Sequence, residues 1–164
     1  MEDALKRLGL ELLNSGYTVG TAEHMTSGLI GSTLSSMCGT SSVYKGSITT
    51  FDKDRLIRLL DVSPNVFNSN KLVSSQVACQ MALGGLYKLD VNLCIAVVGG
   101  DVPSANADDN SVWICSAKLI KDKEINFWYR KLELNGLRGE RLEKVITEAL
   151  NVAYLHITEG YGKD

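Results

Sequence analysis

No charge of one sign dominates this 164-residue sequence: 17 basic and 19 acidic side chains leave a formal net charge of −2. Without a global positive field, phosphate backbones are not gathered independently of base sequence, so no nucleic acid partner is expected. No apolar run reaches the ~18 residues of a membrane span. The opening MEDALKRLGLELLNSG sets acids and bases among its leucines instead of a basic and then an apolar segment. Both absences lead to the expectation of a cytoplasmic protein with no membrane partner. The four cysteines, Cys38, Cys79, Cys94 and Cys115, include no CxxC pair. Neither a zinc ribbon nor a disulfide framework is expected, and buried reduced thiols are. The two histidines, His24 and His156, have no metal-ligand spacing to each other or to a cysteine. No resident metal or cofactor is expected. Internal repeats, low-complexity tracts and linkers are also lacking.

What is present describes an ordinary folded chain. Apolar residues make up 45% and charged residues 22%, and the length suits a single domain, placed at residues 1–160 with a tail at 161–164. Leu5, Leu8, Leu12 and Leu13 recur at helical spacing, and Asn14, Ser15 and Gly16 supply the stop. Tyr17 to Thr21 reads as a strand, followed by a loop and a small-residue helix over Leu29 to Met37. Val43 to Phe51 reads as a second strand, and Asp52 starts a short amphipathic helix. Pro64, Asn65, Asn68 and Asn70 mark a loop, after which Ser74 caps a helix reaching the Gly84-Gly85 region. Val91 to Val98 is the most continuously apolar stretch and is expected at the middle of the sheet. Ser111 to Ile120 and Ile125 to Leu134 are two β-rich runs separated by a polar connection of hairpin length. A last helix spans Arg138 to Ile157, with Leu142, Val145, Ile146, Ala149, Leu150 and Ala153 on one stripe. This order predicts an α/β fold: a three-layer α/β/α sandwich on a mixed β-sheet.

In such sheets ligands bind beyond the carboxyl ends of the parallel strands, here the loops at 22–28, near 51, and at 99–110. The first loop, Thr21-Ala22-Glu23-His24-Met25-Thr26-Ser27-Gly28, puts hydroxyls and a glycine before a helix, where backbone N–H groups favour a phosphate or carboxylate. The plainer reading of Thr26 or Ser27 is a helix cap. The GK[ST] ending of a P-loop is missing. His24, beside Glu23 at a strand end, has the chemistry of a general base near neutral pH; the plainer reading is a hydrogen-bonding loop residue. His156, near the chain end, is read as surface decoration. Gly99 and Gly100 let backbone approach a ligand closely. The loop they open carries Asp101, Asp108 and Asp109 without a calcium-binding spacing, so it is read as solvated.

Taken in order, these loops resemble the C-terminal domain of the CinA family, which includes stand-alone nicotinamide mononucleotide deamidases. Thr21 to Gly28 match the family's TAESCTGG at five of eight places. Gly46 to Val62 line up without gaps with its GGVVTYSNEAKxxLLGV segment. Val73-Ser74, Val77-Ala78, Met81-Ala82 and Gly84 match a VSxxVAxxMAxG helix motif, Ala96 to Pro103 stand where the family has AVTGIAGP, and Gly136-Leu137-Arg138 match a late GxR. The resemblance covers nearly the whole chain and implies the three-layer fold and a homo-oligomer without metal. It also implies a ligand site formed by Thr21, Thr26, Ser27, Gly28, Phe51, Gly99, Gly100 and Arg138.

The family's deamidases use the serine of TAES, assisted by the tyrosine and lysine of YSNEAK, to cleave the carboxamide and release ammonia. This chain has His24, Phe51 and Leu56 at those positions. An imidazole cannot form the ester acyl-enzyme, and Leu56 cannot take a proton. The threonine of VTG is Val98, and the acidic loop replaces the glycine run after it. Lys53, Arg55, Thr50 and Ser47 lie near the lost groups, but neighbouring side chains on a strand or helix point in different directions. The leading expectation is a CinA-like protein that lacks the deamidase activity and binds a nucleotide-like small molecule or a protein. The alternative is an amidohydrolase with an altered mechanism in which His24, oriented by Glu23, activates water or a hydroxyl. A purely structural or assembly role is the third.

Overall fold

The computed structural model describes residues 1–37, 39–100, 110–120 and 124–159, with residues 68–70 described by their backbone. The acidic loop at 101–109, the connection at 121–123, Cys38 and the expected tail lie outside the described residues.

α1 (Glu2–Ser15) has Glu2 and Asp3 in its first turn, where the helix dipole favours negative charge. It stops at Gly16, whose φ of 71° a Cβ would penalise. β1 (Val19–Glu23), α2 (Leu29–Ser35), β2 (Tyr44–Thr49) and α3 (Lys53–Leu60) follow, then α4 (Ser75–Lys88), β3 (Leu93–Gly99), β4 (Ser111–Leu119), β5 (Ile125–Glu133) and α5 (Arg138–Thr158). Asp52 caps α3 by accepting from the Arg55 amide at 2.9 Å, and Ser74 caps α4 by accepting from Val77 at 3.2 Å. The Pro64–Asn70 stretch, expected as a loop, is a 3-10 helix. The Ser63 hydroxyl accepts from the Asn65 amide, and Pro64 sits at the helix start, where its missing N–H costs nothing.

The sheet has the order β2-β1-β3-β4-β5. β1 is parallel to both β2 and β3, and β3–β4 and β4–β5 are antiparallel. β3 lies in the middle with every residue buried, as its unbroken apolar run predicts. Leu8, Leu12, Ile30, Leu34, Val145 and Leu150, from α1, α2 and α5, pack on one face with Ile95, Val97 and Ile114. Leu56, Leu60, Val77, Met81 and Leu86, from α3 and α4, pack on the other with Ala96, Val98 and Cys115. The result is the expected α/β/α sandwich.

One expectation is overturned inside this framework. His156 is completely buried. It continues the inward stripe of Val145, Ala149 and Ala153, and its ring reaches Ser116 Oγ at 3.0 Å and Asn126 Oδ1 at 2.8 Å. Asn126 Oδ1 accepts from Nε2–H, which leaves Nδ1 to accept from the serine hydroxyl. Burial and the charge of Lys118, whose ammonium donates to the His156 carbonyl, push the imidazole pKa down to about 4.

The path of the chain positions the site. β1 leads outward through α2 to the edge strand β2, and the return through α3 and α4 passes β1 to reach β3 on its other side. The carboxyl ends of β1 and β3 therefore flank the point where strand order reverses, the usual crevice for ligands in such sheets.

Candidate functional site

Two hydrogen bonds carry strand pairing just past the end of β1: the His24 amide donates to Val97 O at 3.1 Å, and the Thr50 amide to Glu23 O at 2.9 Å. They hold His24 and Phe51 side by side at this sheet edge. The imidazole stacks on the Phe51 ring with centroids 5.2 Å apart and planes 15° from parallel. His24 is 5% exposed and Phe51 57%, so the phenyl ring faces solvent over a sheltered imidazole. Leu56 does not join them. The Asp52 cap turns the chain into α3 directly after Phe51, and Leu56 is sealed in the α3–α4 core with no exposed surface.

The helix start after β1 is not an open anion site, because Glu23 already occupies it. Its Oε1 accepts from Thr21 Oγ1 (2.9 Å), the Gly31 amide (2.8 Å) and Ser47 Oγ (3.3 Å). Its Oε2 accepts from Thr26 Oγ1 (2.7 Å), the Gly28 amide (3.0 Å) and the Ile30 amide (3.1 Å). Six donors use the capacity of a carboxylate that is completely buried. A Cβ on Gly31 would lie 2.4 Å from the Tyr44 hydroxyl and 3.3 Å from Glu23 Oε1, so a glycine there lets α2 come this close. Thr21, Thr26 and Gly28, expected as ligand contacts, thus serve Glu23 within the protein. Glu23 is a buried anchor whose carboxylate gathers the start of α2.

The remaining expected residues divide. Ser27 is exposed at the loop tip, with φ 52°. Gly99 is buried for packing, since a Cβ there would lie 2.4 Å from Val112 Cγ2 and 2.8 Å from Met25 Sδ. Gly100 is half-buried and Arg138 exposed. Three of the polar residues near His24, Phe51 and Leu56 are engaged elsewhere. Ser47 donates to Glu23, Lys53 lies over the Phe67 ring at 5.5 Å, and Arg55 pairs with Asp52 at 3.9 Å. Thr50 is buried, 3% exposed.

Sequence reasoning missed Arg141, which is 3% exposed on the inward stripe of α5. Its Nε and Nη2 have no hydrogen-bond partner among the described residues. The far end of α5 meets Ser116 through His156, so its first turn lies toward the start of β4, where Val112 pairs with Gly99. That is the sheet edge on which β1 and β3 end. An arginine on a helix face gave no sign of burial, because nothing nearby in sequence marks it. The Ser116–His156–Asn126 chain has the spacing of a nucleophile relay, but its burial shuts out substrate. Among the described residues, no group of three or more His, Cys, Asp or Glu is placed to hold a metal, and no helix is long and apolar enough to cross a membrane.

Comparison with known proteins agrees with the fold and the motifs. The family model described as "CinA C-terminal domain" matches residues 1–156. A CinA-like protein of Flavobacterium psychrophilum is 34% identical over 95% of this chain, which covers 37% of that protein, and one of Dictyoglomus turgidum is 32% identical over 78%, covering 31%. The chain thus spans about a third of the length of these curated relatives. A crystal structure of a competence-damaged protein (CinA) superfamily member from Klebsiella pneumoniae shares the fold, with a TM-score of 0.85 at 19% identity over 96% of this chain and 97% of that one. The competence/damage inducible protein CihA of Agrobacterium tumefaciens superposes with a TM-score of 0.81 at 27% identity over 92% and 91%. Motifs, sheet order and family match lead to one assignment: the chain belongs to the CinA C-terminal domain family.

Proposed function

We propose that this domain binds a small nucleotide-like molecule at the carboxyl edge of its sheet and does not cleave it by the serine route. One observation carries the reading: His24 and Phe51 stack together at the crevice while Leu56 is sealed in the core. Nucleophile, phenol and amine are all replaced, and what stands in their place is an aromatic surface. A planar heterocycle stacked on such a ring gains about 0.5–1.5 kcal/mol beyond its area burial. The buried Arg141 guanidinium near the same edge supports an anionic group on the ligand. Assembly with further copies of the chain, which the family resemblance implies, and a cytoplasmic setting, expected from the sequence composition, belong to the same reading.

The test is incubation of concentrated protein with nicotinamide mononucleotide, followed by mass spectrometry for the acid product and by thermal unfolding. The expected result is a raised melting temperature, no product, and loss of the shift in Phe51→Ala, whose exposed ring can be removed without opening the core. Product that forms with the native protein and disappears in His24→Ala would establish the His24-dependent hydrolase instead.

A further inference from the structure

We propose that Cys79 and Cys115 form an oxidisable dithiol site that peroxide converts to a disulfide joining α4 to β4. The two residues are far apart in sequence and lack any paired motif, yet their sulfurs lie 3.3 Å apart, with the Cys115 thiol donating to Cys79. A disulfide bond measures ~2.05 Å, so closure asks the sulfurs to approach by ~1.2 Å. Neither residue is engaged by the crevice, and the proposal stands independently of the ligand reading.

The pair is asymmetric in the way a peroxide reaction needs. Cys79 is half-buried on α4 and can meet a small oxidant, while Cys115 has no exposed surface on β4. The hydrogen bond from Cys115 lowers the Cys79 pKa, and burial holds the Cys115 thiol well above its ordinary range. Cys79 is thus the thiolate-forming partner and Cys115 the proton-bearing one. In the first step the Cys79 thiolate attacks hydrogen peroxide, forming an S–O bond, breaking the O–O bond and releasing hydroxide, to leave a sulfenic acid. In the second, the Cys115 sulfur attacks that sulfenic sulfur, the S–O bond breaks, and the Cys115 proton leaves with the hydroxyl as water. Two thiols are oxidised by two electrons and one peroxide is reduced. Cys94, fully buried on β3 with its pKa raised by burial, supplies an internal control on the same face of the sheet.

The experiment uses the full chain carrying Cys38→Ser, so that no thiol outside the described residues contributes. The protein is treated with hydrogen peroxide, alkylated, digested without reductant and mapped by mass spectrometry. A linked peptide containing Cys79 and Cys115, reversed by dithiothreitol, with Cys94 recovered as free thiol, is the expected result. Cys115→Ala is expected to stop at a Cys79 sulfenic acid trapped by dimedone, and Cys79→Ser to yield neither product. The unsubstituted pair carries the test by itself if the buried Cys115→Ala variant fails to fold. Recovery of Cys79 unmodified, or oxidation of Cys79 and Cys94 at equal rates, overturns the proposal.

Discussion

Glu23 shows how a single residue can be charged, buried and still structural. Three backbone amides and three hydroxyls converge on its carboxylate, so the negative charge at the start of α2 is supplied by the chain itself. Glu23→Gln turns an NH2 group toward three of those donors whichever way the amide faces. It is expected to cost roughly 3 kcal/mol, read as a lower urea midpoint at unchanged slope. A midpoint within error of the native value would remove the anchoring role. His156 makes a pH prediction. Its folded pKa of about 4 lies below the ordinary 6.5, so the unfolded chain binds the proton first as pH falls. The stabilisation is complete above about pH 6.5, declines as pH drops toward 4 and is level below that, for a total of roughly 3 kcal/mol. Carboxylates also titrate near 4, so the measurement is the difference in melting temperature between native protein and His156→Gln from pH 7 to pH 4, which is expected to narrow as pH falls. Neither role was legible from residue identity. An acid and a histidine at a strand end look like catalytic groups, and a histidine near a chain end looks like decoration. Five of Glu23's six donors lie within eight residues of it, but a turn and a helix start must fold before they converge, and His156 draws its partners from Ser116 and Asn126.

Among the elements, α3 and α4 approach each other closely. A Cβ on Gly84 would lie 1.8 Å from the carbonyl oxygen of Leu60, a backbone atom that cannot rotate away. Gly84→Ala is therefore expected to destabilise by about 1–3 kcal/mol. Gly139, in the first turn of α5 with nothing within 4 Å of an added Cβ, is the matched control: Gly139→Ala is expected to leave stability level or raise it by about 0.5 kcal/mol. Equal effects in denaturant unfolding would show that helix propensity, and not the α3–α4 approach, governs Gly84. The same packing bears on any charged substitution at Leu56. Leu56→Lys would place an ammonium in a core that gives Leu56 no exposed surface, so it is expected to lower the melting temperature by several degrees before any activity is assayed. Elements themselves were well marked in the sequence. Asp52 and Ser74 sit where they cap, Gly16 where a helix must end, and the alternation of β4 and β5 around a polar connection pairs them antiparallel.

At the scale of the molecule, three layers and one reversal of strand order bring the carboxyl ends of β1 and β3 to one edge, and His24 and Phe51 stand there together. If that edge has become a binding surface, Phe51→Ala should lower affinity for nicotinamide mononucleotide in calorimetric titration by about tenfold, while costing the fold no more than the about 0.5–1.5 kcal/mol of its stack on His24. An unchanged affinity would place the ligand elsewhere. The sequence by itself determined the layers, the central place of Val91 to Val98 and the family. Those properties follow from short-range periodicity, turn chemistry and residue identity. Only the tertiary structure decided which polar groups face solvent and which face each other. It turned Thr21, Thr26 and Gly28 onto Glu23, drew His156 and Arg141 inside, and set the sulfurs of Cys79 and Cys115 in contact. The partners of His156 and the Cys79–Cys115 contact lie 30 or more residues away along the chain, and no local pattern records which groups folding will bring together.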